Sequence, residues 1–236
     1  NSFKLYKYYP STMQQYKNLF VIGTSHIAIE SVKEVKENIL KLKPNIVALE
    51  LDQKRFYSLM YSQKSKFRLK DIKTLGLTGF LFNIIGAWAE KKLGKIVGVS
   101  PGSEMKEAAK AAHQIKADIA LIDKDISITL KKLSKRLTLK EKLYFGYEII
   151  KGIFIRKPQV EFDLKKVPSK ETINKMTKHV KKHYPSIYLT LIKERNEYMA
   201  KALYKLITIH PDKIVLAVIG AGHEEEIIDL VKKCKK

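Results

Sequence analysis

The sequence predicts an α/β fold: a mostly parallel central sheet of about four core strands, surrounded by many helices, with a large helical insertion before the last strand. Three observations predict it. Short apolar runs of strand length alternate with stretches of helical periodicity, and the order strand–helix–strand–helix near the start is what right-handed parallel crossovers produce. The last apolar run arrives only after a long helical stretch. Two of the runs, at opposite ends of the chain, close on the same pattern: Val21-Ile22-Gly23-Thr24-Ser25-His26 and Val218-Ile219-Gly220-Ala221-Gly222-His223.

Leu19–Ile22 is a short apolar run closed by Gly23 and reads as a buried strand. Over 27–42, Ile29, Val32, Val35, Ile39 and Leu42 recur at helical spacing, and Pro44 ends the pattern. Ile46–Leu51 is a second strand, after which Asp52 caps a helix running to about Met60. Leu75–Ala89 is the longest uncharged run; its 15 residues, interrupted by Gly76, Gly79 and Gly86, read as a buried helix or interfacial lid. A membrane span would need about 20. Pro101-Gly102-Ser103-Glu104 opens a helix to about Lys116, and Ile119–Ile122 is the third strand. The stretches 127–155 and 169–209 are largely helical, with breaks near Pro158, Pro168 and Pro185. Ile214–Ile219 is the fourth strand, and a helix follows Gly222. No linker or tandem repeat divides the chain, so residues 1–236 read as one α/β domain.

Composition limits the function classes. Hydrophobic residues at 45% and charged residues at 30% exclude a disordered or collagen-like chain. Cys234 is the single cysteine, which excludes a disulfide framework and a cysteine zinc cluster and points to a reducing compartment. The 46 basic against 24 acidic residues give +22. These lysines are scattered over helical faces in both halves, with no arginine fork or aromatic RNA-binding motif beside them. A Lys-rich solvated surface of the kind seen in heat-adapted proteins accounts for them better than specific nucleic-acid binding. The chain opens on Asn1 rather than Met, with no signal peptide and no transmembrane run, and reads as a cytoplasmic or membrane-associated piece of something longer.

The chemistry is expected at the strand ends. In a parallel sheet, ligands bind beyond the carboxyl edge, and two strand-Gly-x-x-His corners bring His26 and His223 to that edge. The second strand ends at Glu50, in Leu49-Glu50-Leu51-Asp52-Gln53-Lys54-Arg55, and the third at Asp123. Two imidazoles with a carboxylate suit a divalent transition metal that activates water, so His26, His223 and Glu50 are the candidate ligands of Mn, Co or Zn, with Glu50 alternatively a general base. Taken singly, each residue has a plainer role: His26 as a capping or core histidine, Asp52 as a helix cap, His223 as an anion-binding group at a helix start. Ser25 lacks a nucleophile elbow, and Gly220-Ala221-Gly222 lacks the following βαβ unit of a dinucleotide loop. His179 and His183 have metal-compatible spacing without the accompanying glutamate, and together with His113 and His210 read as a solvated face.

These residues resemble the TraB/PrgY pheromone-shutdown family, which is similar to the Tiki metalloproteases and the erythromycin-esterase/ChaN-like group. The resemblance is carried by Gly23-Thr24-Ser25-His26, Val47-Ala48-Leu49-Glu50-Leu51-Asp52 with Arg55, and Pro101-Gly102-Ser103-Glu104-Met105. It continues through Leu121-Ile122-Asp123-Lys124-Asp125-Ile126, Glu194-Arg195-Asn196-Glu197-Tyr198 and Gly220-Ala221-Gly222-His223. It implies one pocket at the strand ends, with His26, His223 and Glu50 as its metal-site or catalytic residues. By the same resemblance Glu104, Asp123, Asp125, Glu194, Arg195 and Arg55 are pocket candidates. Two departures stand out. Asp123-Lys124-Asp125 replaces the family's frequent Asp-Arg-Asp, and Glu224-Glu225-Glu226 replaces a frequent Pro-Gly pair.

The resulting expectation is a metal-dependent hydrolase cleaving a peptide amide, with Glu50, Arg195 and Glu104 as catalytic residues and Arg195 stabilising the oxyanion or gripping a substrate carboxylate. The alternative is a module that sequesters a peptide or other ligand without turnover. Expected partners are a peptide substrate or ligand, with homo-oligomerisation and contact of the parent protein with an anionic membrane as further expectations.

Overall fold

A computed structural model describes residues 13–24, 29–61, 80, 102–154 and 170–234. Strands β1 (Met13–Tyr16) and β2 (Leu19–Thr24) form an antiparallel hairpin across a two-residue connection. Helix α1 (Ile29–Leu42) leads to β3 (Ile46–Leu49), and α2 (Gln53–Met60) and α3 (Ser103–Gln114) precede β4 (Asp118–Leu121). Then come α4 (Ile126–Arg136), α5 (Leu139–Phe154), α6 (Lys170–His183) and the short α7 (Pro185–Ile187). A π-helical turn, Tyr188–Lys193, joins α7 to α8 (Glu194–Ile209), and β5 (Val215–Gly220) and α9 (Glu224–Lys233) close the described chain. The fold is α/β, and its five-stranded sheet runs β1-β2-β5-β3-β4, parallel except for β1.

The strand that comes last in sequence is therefore central. Val215 to Ile219 of β5 are fully buried, as a strand covered by helices on both faces must be, which is why its sequence is continuously apolar. Alternate strand residues feed two separate cores. On one face Leu19, Val21, Ala217 and Ile219 pack with Met199, Leu203 and Ile207 of α8 and Ile227, Ile228 and Val231 of α9. On the other, Phe20, Ile22, Val47, Leu49 and Val218 pack with Val35 and Ile39 of α1 and with the alanines of α3, Ala108, Ala109, Ala111 and Ala112. Those small side chains let α3 lie close to both α1 and the sheet.

Several boundaries differ from the sequence reading for identifiable reasons. The sheet has an additional edge strand, β1, whose Met-Gln-Gln-Tyr composition carries no apolar run because it is only partly buried. The strand expected at Ile46–Leu51 ends at Leu49, and those expected at Ile119–Ile122 and Ile214–Ile219 are each shifted by one residue at both ends, because hydrogen-bond pairing rather than hydropathy sets their limits. The stretch 127–155 is two helices, divided at Leu137-Thr138. Pro185 does break the later stretch, but as the first residue of a new helix, where its missing N–H costs nothing. The uncharged run 75–89, apart from Phe80, and the breaks near Pro158 and Pro168 lie outside the described residues; Phe80 is buried against Leu130. Among the described residues no helix is long and apolar enough to cross a membrane.

The break before α5 is a reciprocal cap. Thr138 N and Oγ1 donate to Glu141 Oε2 at 2.9 and 2.8 Å, Glu141 N donates to Thr138 Oγ1 at 3.2 Å, and Ser186 N donates to Glu141 Oε1 at 2.7 Å. Burial alone would raise the Glu141 pKa, but the donors from Thr138 and Ser186 outweigh it and hold it below the usual value. A depressed folded pKa contributes stability that is fully present above about pH 4.5 and drains away as the pH falls towards the folded value. Glu141→Gln is therefore expected to lower the melting temperature at neutral pH and to flatten the acid limb of the stability curve. Thr138→Ala should cost about 1 kcal/mol in urea unfolding. A Glu141→Gln melting curve parallel to wild type from neutrality into acid would contradict this cap.

Candidate functional site

The carboxyl edge of the sheet is closed by backbone pairing before any functional side chain is considered. Thr24 pairs with Gly220 at the end of the β2–β5 ladder, so the two strands end level with each other, with Gly23 one step earlier opposite Ile219. Ala221 N donates to Thr24 O at 2.8 Å, and Thr24 Oγ1 donates to Ile219 O at 3.1 Å. The β3–β5 ladder continues past Leu49, with Glu50 N donating to Val218 O at 3.2 Å. Glu50 then turns its side chain onto the neighbouring strand: Gly220 N donates to Glu50 Oε2 at 2.6 Å. The glutamate is 3% exposed.

A guanidinium largely shielded from water meets it there. Arg195, from the first turn of α8, donates through Nη2 to Glu50 Oε1 at 2.5 Å and to Asp123 Oδ2 at 2.6 Å. Its Nε reaches both oxygens of Asp123 at 3.2 Å, and Nη1 donates to Leu191 O at 3.3 Å. Burial works against the charge on Arg195, yet Glu50 and Asp123 hold its pKa above the usual arginine value. The network extends outward. Arg55 Nη2 donates to Asp123 Oδ2, and Arg55 Nε donates to Asp52 Oδ2 at 2.8 Å. Asp52 also caps α2, accepting from Arg55 N at 2.9 Å.

His223 stands at the start of α9 beside this network. Its Nε2 is 3.6 Å from Glu50 Oε1, and its Nδ1 is 2.5 Å from Asn196 Oδ1. Asn196, fully buried, donates through Nδ2 to Glu226 Oε2 at 2.8 Å. On the β2 side, Gly23 lies against Glu224 and Ala221. A Cβ there would press on the Glu224 carboxylate and lie 3.2 Å from Ala221 Cα. The glycine is thus the space that Glu224 occupies.

The structure brings together Glu50, Asp123, Arg195, Arg55 and His223. His26 lies outside the described residues. Other sequence candidates sit elsewhere. Asp125 caps α4 through Ser127 N at 2.7 Å and pairs with Lys54 at 2.8 Å; that bond to Lys54, ahead of burial, which opposes it, puts its pKa below the ordinary carboxylate value. Glu194 points to α4, pairing with Lys132 at 2.7 Å and Arg136 at 2.9 Å, and these partners overcome the burial that would raise its pKa. Glu104 is fully buried in the first turn of α3. Arg195, expected to meet substrate, has each of its three side-chain nitrogens in a hydrogen bond to the protein. His179 is exposed, in line with a solvated face, and lies 3.4 Å from Glu148, whereas His183 is half-buried and stacks on Tyr144 at 4.7 Å between centroids. Asn196 and Glu226 were not legible as site residues; the available signals were the adjacency of Asn196 to Arg195 and the one-turn spacing of Glu226 from His223.

A profile of the TraB/PrgY/gumN family matches residues 13–236. The chain belongs to this family. An uncharacterized protein of Methanocaldococcus jannaschii is 36% identical over 224 residues, 92% of this chain and 54% of that protein. TraB domain-containing proteins of Bos taurus and Homo sapiens are 23% and 22% identical over 229 residues, 87% of this chain and 60% of theirs. The TraB-family chain described here thus spans just over half the length of these relatives.

The Arg195 network predicts the outcome of removing its cation. Arg195→Met would leave Glu50 and Asp123 buried without it, and urea unfolding should show a loss of about 3–5 kcal/mol. Arg195→Lys keeps the charge but cannot span both carboxylates and Leu191 O, so it should also fall below wild type. At the glycine corner, Gly23→Ala should cost about 1–3 kcal/mol, since Ala221 backbone cannot swing aside as a side chain can. Wild-type stability in Arg195→Met or Gly23→Ala would contradict these assignments.

Proposed function

We propose that this TraB-family chain is a metal-dependent hydrolase that cleaves a peptide amide at the carboxyl edge of the sheet. The observation that carries the reading is the corner between His223 Nε2 and Glu50 Oε1, 3.6 Å apart, which offers two donors of the kind a divalent transition ion takes. The donor chemistry fits. Arg195 uses one lone pair of Glu50 Oε1, a carboxylate oxygen has a second, and Gly220 N–H holds the other oxygen still. Charge fits as well: in the ion pairs among the described residues, the three carboxylates Glu50, Asp52 and Asp123 are set against the two guanidinium groups of Arg55 and Arg195, a balance that a cation would suit. Among the described residues no group of three His, Cys, Asp or Glu is arranged to hold an ion, so the third ligand in this proposal is His26.

Mn, Co or Zn bound here would lower the pKa of water and polarise a carbonyl. Glu50 serves in one of two ways through the second lone pair of Oε1: as a ligand of the ion, or, where the histidines hold the ion, as the base that orients water and accepts its proton. Arg195 and Asp123 keep that carboxylate from rotating. Glu224, beside Gly23, borders the approach and disfavours an anionic group at that side of the scissile bond.

A second reading has its own support. Arg195 is engaged with Glu50, Asp123 and Leu191, a structural employment that suits a module that holds a ligand without turning it over. The experiment is calorimetric titration of Mn²⁺, Co²⁺ and Zn²⁺ into the chelator-treated chain and into His223→Ala and His26→Ala, followed by a broad peptide library. Saturable binding that both variants lose, with metal-stimulated cleavage, is the expected result. Binding without cleavage would leave the sequestering module. No binding by wild type would overturn the metal reading.

A further inference from the structure

One fully buried amide beside the site has its orientation imposed from outside. Glu226 offers only acceptor oxygens, so the group of Asn196 that faces it at 2.8 Å is Nδ2. This turns Asn196 Oδ1 towards His223, where it lies 2.5 Å from Nδ1. An amide oxygen cannot donate. The hydrogen in that contact therefore belongs to His223 Nδ1, and the neutral imidazole carries its lone pair on Nε2, the nitrogen on the Glu50 side.

We propose that Glu226, acting through Asn196, is the positioning residue that fixes the tautomer and ring orientation of His223. The elements make this arrangement rigid. Asn196 comes from α8, whose neighbouring residues pack in the sheet core, while His223 and Glu226 are one turn apart at the start of α9, so one amide bridges two residues on the same helical face. Glutamate matters here in a way that glutamine would not satisfy. A glutamine can donate or accept, so Asn196 could turn around, present Nδ2 to His223 and move the imidazole hydrogen to Nε2. The acidic residue thus removes the second solution. The part of the proposal that concerns metal affinity rests on the metal reading above; the tautomer does not.

The test uses the full chain, uniformly labelled with ¹⁵N and free of metal, at neutral to mildly alkaline pH. Long-range ¹H–¹⁵N spectra, with His223→Gln to assign the ring, should show a protonated Nδ1 and an unprotonated Nε2 in wild type. Glu226→Gln should retain the wild-type circular dichroism, shift His223 to a mixture of tautomers, and weaken Zn²⁺ binding in calorimetry by roughly 10- to 100-fold. A wild-type ring protonated on Nε2, which can be read without any variant, would overturn the proposal. So would a Glu226→Gln ring identical to wild type. A tautomer that shifts in a protein that binds no Zn²⁺ would uphold the positioning role while removing the metal reading.

Discussion

The guanidinium of Arg195 between Glu50 and Asp123 is the interaction on which the carboxyl edge depends. Glu50 ends one strand, Asp123 follows another, and Gly220, which donates to Glu50, ends the central one. Taking a cation and two carboxylates out of water is costly, and such a cluster adds less to net stability than its short distances suggest. Its value lies in specificity. Slipping β3 by one residue against β5 would move Glu50 to the opposite face of the sheet and leave Arg195 with half its partners. The apolar strands alone discriminate less sharply between registers, because both faces of this sheet are greasy.

Three consecutive residues of α8 distribute the edge among its neighbours. Side chains of successive helical residues diverge by about 100°, and here Glu194 reaches Lys132 and Arg136 on α4, Arg195 reaches the strand ends, and Asn196 reaches His223 at the start of α9. The π-helical turn immediately before them alters the phase of the helix at this point, and such turns recur where a helix must aim particular side chains. The same helix then buries Met199, Leu203 and Ile207 against the sheet, so the polar start is anchored by an apolar remainder.

Most of the fold was legible because hydropathy period and strand length report burial directly. β2, β3 and β5 are apolar runs since both of their faces are covered; β1 was invisible since an edge strand needs no such run. For the site, the strand-end positions of Glu50, Asp123 and His223 were legible from parallel-sheet geometry, and Arg195 only through resemblance. What stayed hidden was employment rather than position. Asp125 and Glu194 look no different in sequence from Asp123, yet Lys54, Lys132 and Arg136 draw them away from the edge. Pairing across 58 to 71 residues is set by how helices pack, and no local pattern encodes it.

The strongly positive chain and the acidic surplus at its proposed site do not conflict. The +22 resides largely on lysines, and surface charges more than about 8 Å away are largely screened at physiological salt. The three carboxylates at the strand ends are buried and their arginine partners half-buried, and such charges are screened less, so Glu50, Asp52 and Asp123 against Arg55 and Arg195 weigh most in the local sign. A basic exterior can therefore surround a cluster of carboxylates, as the proposed cation site requires. The two levels answer different questions: the surface governs what the protein approaches, and the carboxylates at the sheet edge govern what it holds.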